Sequence, residues 1–146
     1  MKVSMVPTKH VTDIWDAVMP HLKKAADYTY GRYEVDDILD CITDYEHTLW
    51  IAFDEESIKG AVVTMIRQYP RKKYLDMVFT GGVELEKWKK PMLELLQKWA
   101  FDTKCDGIES VGRPGWAKIF KSDGHKPLWN TYELPVAKTG LGDING

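Results

Sequence analysis

The sequence predicts a mixed α/β domain, a mostly antiparallel sheet with helices on its flanks. Three apolar runs, TLWIAFD (48–54), IKGAVVTMIRQY (58–69) and YLDMVFT (74–80), are separated only by EES and PRKK, the spacing of an antiparallel meander. Runs with helical period stand on both sides of this block. A further helical run separates the third apolar run from GIESV (107–111), so those two strands run parallel through a crossover helix.

The elements follow in order. Val3 to Val6 form a short first strand, ended by Pro7. From Thr12 to Tyr28 the residues Trp15, Val18, Met19, Leu22 and Ala26 recur at helical spacing, with Thr12 or Asp13 as the cap and Pro20 predicting a kink or a split. YTYGRYEV is a loop turning on Gly31. A second helix spans Val35 to Tyr45, with Ile38, Leu39 and Ile42 inward. Its acidic run, Glu34, Asp36, Asp37, Asp40, Asp44 and Glu46, reads as a solvated face or as the lining of a pocket for a cation.

The three meander strands come next, the middle one long enough to bulge near Gly60. A third long helix runs from Lys89 to Thr103, its start marked by Pro91 and its buried stripe by Met92, Leu95, Leu96 and Trp99. After the GIESV strand, GRPGWAKIFKSDGHK (112–126) predicts a short helix opened by Pro114 and stopped by Gly124. PLWNTYEL (127–134) alternates like a closing strand. The expected organisation is one domain over 1–136 and a flexible tail over 137–146.

Whole-chain properties narrow the function. With 146 residues and a net charge of −2 the chain has no general attraction for nucleic acid. The cations Arg67, Arg71, Lys72 and Lys73 at a hairpin tip are charged because such tips are wet. No apolar run is long enough for a membrane span, and no signal-peptide core opens the chain. Cys41 and Cys105 suit a reducing cytoplasm, and His10, His21, His47 and His125 are too scattered for a metal site. Six Trp and seven Tyr point to a core or an interface built on large flat rings.

The order strand, two helices, three strands, helix, strand, short helix, strand resembles the GNAT superfamily of N-acetyltransferases. Its closing segment GRPGW…G…W is similar to acetyltransferase-like proteins of tailed bacteriophages. The resemblance implies a parallel strand pair that splays apart, with acetyl-CoA in the gap. Its pantetheine arm would pair with backbone near Met77, Val78 and Phe79. Its diphosphate would lie at the next helix start, near Gly81, Gly82, Lys87, Lys89 and Lys90. That segment, TGGVELEKWKK, departs from the family's Q/R-x-x-G-x-G/A loop, and Glu84 and Glu86 put carboxylates where phosphates would sit. The family's Tyr-x-x-x-Gly, whose hydroxyl gives a proton to the departing thiolate, becomes Phe120 here.

Transfer to an amine needs a base and hydroxyl or amide donors. Asp76 in the third meander strand is the candidate base, or else an outward-facing strand residue. Ser110 and Tyr132 are candidate hydroxyls, and His125 reads as a surface histidine. The resemblance implies an amine acceptor on a small molecule or protein, held by YTYGRYEV and the hairpin turn. Tyr28, Tyr30 and Tyr33 suit a pocket wall or a homo-oligomer interface. The alternative is a domain that keeps the fold without catalysis, as a virion component or a binder of a host protein.

Overall fold

The computed structural model describes residues 1–111, 124–129 and 131–136. The chain divides into two units, Met1–Arg113 and Pro114–Gly146. The first unit holds a five-stranded sheet in the order β1-β2-β3-β4-β5. Its strands are β1 (Lys2–Val6), β2 (Thr48–Phe53), β3 (Ile58–Gln68), β4 (Lys73–Gly82) and β5 (Gly107–Ser110). All neighbours pair antiparallel except β4 and β5, which run parallel. The expected mixed, mostly antiparallel sheet is the observed one.

Helix α1 (Val11–Asp27) and helix α2 (Val35–Thr43) cover one face of the sheet, and α3 (Leu85–Asp102) covers the other. On the first face Val18, Leu22, Ile38 and Ile42 pack on Leu49, Ala61, Val63 and Phe79. On the second, Trp88, Met92 and Leu96 pack on Trp50, Val62, Leu75 and Met77. Alternation along the strands sorts these two sets, since successive side chains leave a strand on opposite sides.

Helix α1 runs unbroken through Pro20, so the expected split is not the observed outcome. Proline removes one amide donor, yet Val18 and Leu22 on either side are fully buried, and packing of that face holds the helix together. Neither Thr12 nor Asp13 caps it by a side-chain bond, because the helix begins at Val11 behind a short 3₁₀ turn, Thr8–His10. Helix α2 opens with a capping box in which Asp37 Oδ2 accepts from the Glu34 amide at 2.8 Å. It stops at Thr43, short of the expected Tyr45, where φ turns to +66°.

Helix α3 starts at Leu85, one turn before the expected Lys89, so Pro91 lies inside it. The reason is Trp88, which is buried and donates its indole N–H to the Val83 carbonyl at 2.8 Å, fixing the first turn before the proline is reached. Trp88 lies over Gly60, where a β-carbon would come within 2.3 Å of its ring. The predicted irregularity near Gly60 is present: Ala52 faces Gly60 and Phe53 faces Ile58, so Lys59 is the extra residue.

In the second unit the described residues 127–129 and 131–134 form no strand, a correction to the closing strand read from PLWNTYEL. Alternation prepares a strand but a partner ladder makes one. Gly124 has φ +90°, a turn geometry suited to glycine. The predicted short helix with Trp116 and Phe120, and the tail 137–146, lie outside the described residues.

Candidate functional site

The site is built on β4. Val63 of β3 faces Phe79 and Thr64 faces Met77, so Val78 is an extra residue left out of the ladder, a β-bulge. On its other side β4 pairs with β5 only from Tyr74 to Met77, opposite Gly107 to Ser110. From Val78 to Gly82 β4 keeps β3 on one side, and no strand pairs with its other side among the described residues. Among the described residues a backbone edge therefore opens at the bulge.

Leu75 and Met77 face α3, so Asp76 between them points to the α1–α2 side. It is 8 % exposed, hence not the solvent-facing strand residue that alternation alone allowed. Its Oδ2 accepts both Nε (3.1 Å) and Nη2 (2.8 Å) of Arg67. Glu109, the register partner of Asp76 on β5, takes the Tyr69 hydroxyl on Oε1 at 2.6 Å and lies 3.6 Å from Arg67 Nε. His47, just before β2, has a buried Nδ1 with no hydrogen-bond partner. Burial pushes its imidazole down, against the field of Glu46 and Asp76.

The Asp76–Arg67 pair shows two opposed effects. The hydrogen bond to Asp76 raises the guanidinium value, as pairing should. At Asp76 burial wins instead: its carboxyl is pushed up from the usual carboxylate range, with Arg67 pulling it back down. A buried carboxylate held this way is a better proton acceptor than an exposed one.

Tyr33, from the loop between α1 and α2, packs edge-on against Phe79 with ring centroids 5.1 Å apart. The loop expected to shape an acceptor pocket thus reaches the strand beside the bulge. Tyr28 and Tyr30 are exposed. Ser110 ends β5 opposite Met77. Tyr132 belongs to the second unit, as does His125.

The other end of β4 differs. A β-carbon on Gly81 would meet the His21 carbonyl oxygen of α1 at 2.0 Å, and one on Gly82 the Lys59 carbonyl oxygen at 2.5 Å. Both glycines are needed for internal packing, whatever else their backbone does. Glu84 caps α3 in a left-handed conformation and pairs with Lys87 at 2.7 Å and Lys59 at 3.3 Å. Lys87 falls in the first turn of α3, while Lys89 and Lys90 come after it. Lys59, Glu84 and Lys87 border a cleft of about 650 Å³ lined also by Lys2, Phe53, Asp54, Glu55 and Glu56.

Lys87 pairs with Glu84, and Asp76 is the predicted site residue that the structure places in the network of Arg67 and Glu109. The sequence reading missed its partners Arg67, Tyr69, Glu109 and His47 in this role. Arg67 reads from the sequence as a cation of the hairpin tip, where Lys73 is also used internally, its Nζ donating to the Thr103 carbonyl at 2.6 Å. The strand alternation Met65, Arg67 against Asp76 carried the signal, but only with a known register. Cys41 and Cys105 are free thiols, and among the described residues no His, Cys, Asp and Glu group could hold a metal ion. No helix among them is long and apolar enough to cross a membrane.

No protein-family profile matches this sequence, and no curated protein does. Solved structures do. A ribosomal-protein-alanine N-acetyltransferase from Brucella melitensis biovar Abortus 2308 superposes with a TM-score of 0.69 at 11% identity, over 93% of this chain and 100% of the other. A predicted acetyltransferase with acetyl-CoA from Clostridium acetobutylicum gives 0.67 at 13% identity, over 92% and 95%. An aminoglycoside acetyltransferase from an uncultured soil metagenomic sample gives 0.69 at 10% identity, over 93% and 98%. At such identities the likeness is one of fold, and the fold of this chain is that of the GNAT-type acetyltransferases.

Proposed function

We propose that the chain is an acetyl-CoA-dependent N-acetyltransferase acting on an amine of a small molecule or a protein. The observation that carries this reading is the open β4 edge beginning at the Val78 bulge, with the buried Asp76 two residues before it. The edge suits an extended arm with amide groups, which would add to Met77, Val78 and Phe79 as a strand adds to a sheet. Acetyl-CoA, when bound, supplies the acetyl thioester. Asp76 takes the proton from the acceptor ammonium, directly or through one water. The Val78 amide, outside the ladder, is a backbone donor for the reacting carbonyl. Ser110 is the proposed hydroxyl donor of this unit, Tyr132 is proposed as a second from the sequence alone, and Tyr33 with Phe79 forms an apolar wall for the acceptor.

The start of α3 is the proposed diphosphate site, with the Gly81 and Gly82 backbone and Lys87, Lys89 and Lys90. Glu84 competes there, because its carboxylate already holds Lys59 and Lys87. That competition favours a second reading, a domain of this fold kept for binding a protein partner without catalysis. The similarity of GRPGW…G…W to phage-encoded chains fits that reading as well.

Calorimetry with acetyl-CoA separates the two. Acetyl transfer predicts saturable binding, weakened at least about tenfold when Lys87, Lys89 and Lys90 become Ala and strengthened by Glu84→Gln, which frees two lysines. Absence of heat at millimolar acetyl-CoA would sink the enzyme reading. With an accepted amine in hand, Asp76→Asn lowers kcat/KM by about 10²-fold or more.

A further inference from the structure

We propose that Arg67 is the positioning residue of the acceptor side: it fixes how Asp76 is presented to the substrate amine and binds Asp76, Glu109 and Tyr69 into one unit. The inference rests on the reading of Asp76 as base. Three adjacent strands meet here, since Arg67 lies one residue before the end of β3, Asp76 lies on β4 and Glu109 faces it on β5. Both guanidinium bonds fall on Oδ2 of Asp76, so Oδ1 is left to accept another donor. Tyr69 turns the Glu109 carboxylate onto the same guanidinium. One cation thus stands between two neighbouring carboxylates.

Without that cation the two carboxylates would repel each other in a half-buried place, and one of them would hold a proton. A protonated Asp76 accepts nothing from an ammonium. The groups facing Asp76 are Arg67 from β3, Glu109 from β5 and His47 from the entrance to β2. Among these Arg67 is the cation at neutral pH, because burial keeps the His47 imidazole neutral. Arginine is the residue required, since its planar fork can bind one carboxylate while keeping an edge on the second, and a lysine ammonium is a single point. A contact of Nη2 with Met65 Sδ at 3.5 Å further restrains the guanidinium.

The test uses the full chain and three variants, Arg67→Gln, Arg67→Lys and Tyr69→Phe. Two quantities are read: the titration of the Asp76 side-chain carboxyl carbon by NMR, without ligand, and the pH profile of acetyl transfer to an amine the wild type accepts. In Arg67→Gln the Asp76 titration moves to higher pH, the acid limb of kcat/KM moves with it, and kcat/KM at pH 7 falls roughly tenfold or more. Arg67→Lys returns the titration toward the wild-type position but recovers the rate only in part. Tyr69→Phe moves both in the same direction as Arg67→Gln, by less. An unmoved Asp76 titration in a folded Arg67→Gln protein overturns the proposal. Should that variant not fold, an unmoved titration and an unmoved limb in Tyr69→Phe overturn it equally. A shifted Asp76 titration in a protein that acetylates no amine supports the positioning of Asp76 and overturns acetyl transfer instead.

Discussion

The two ends of β4 each carry a charged network, and the networks behave differently because one is buried. At the β5-paired end, Asp76 is sunk between strands and its ion pair with Arg67 works against desolvation. At the α3 end, Glu84 meets Lys59 and Lys87 near water, and those lysines pull its carboxyl below the usual range. In both places the cation pulls the carboxyl down, yet the two acids end up shifted in opposite directions. Burial decides which side wins, and the buried carboxylate is the one pushed above the usual range.

Several changes would break or sharpen this contrast. The largest effect is expected at the α3 end and comes from packing, not charge. Gly81→Ala forces a β-carbon onto the His21 carbonyl of α1, a backbone atom that cannot turn aside. Urea unfolding should show a loss of about 3 kcal/mol or more. A variant as stable as the wild type would mean that α1 does not approach β4 so closely.

Next comes Arg67→Ala, which strands the Asp76 carboxylate. Losing one member of a fully buried pair costs about 3–5 kcal/mol, but the Arg67 side chain is 42 % exposed, so about 2 kcal/mol is expected. The pH dependence carries its own sign. The folded value of Asp76 lies above the unfolded one, so the folded chain holds its proton longer. Stability then falls as pH rises from the ordinary carboxylate range through the raised value. Asp76→Asn should abolish that slope, and an unchanged slope in unfolding midpoints would assign it to another group.

The smallest effect is expected for Glu84→Gln. Its carboxyl is depressed, so its contribution is present at neutral pH and is lost as pH falls through the lowered value. Because the pair is solvated, the melting temperature at neutral pH should not move measurably. A clear loss of stability would show that the head of α3 depends on this ion pair.

Much of the fold is legible in the sequence. The meander, the crossover helix and the two apolar faces follow from period and from short turns, which are local properties. So does the helix of Val35, whose capping box is written in Glu34 and Asp37. Helix ends were less legible where a tertiary contact overrode local preference. Trp88, locked over Gly60, starts α3 ahead of Pro91, and buried Val18 and Leu22 carry α1 through Pro20. PLWNTYEL shows the converse, since alternation without a paired neighbour gave no strand among its described residues.

For the site, the sequence by itself determined that a carboxylate, Asp76, stands on the strand before the crossover helix, and that TGGVELEKWKK mixes acids with lysines. Only the tertiary structure decided which charges meet. Register placed Glu109 opposite Asp76, and the diagonal across β3 and β4 brought Arg67 to both. Such pairing depends on strands distant in sequence, and a slip of one residue would send every side chain to the other face. The bulge at Val78 is of the same kind, for an extra residue is defined only against the partner strand that lacks it.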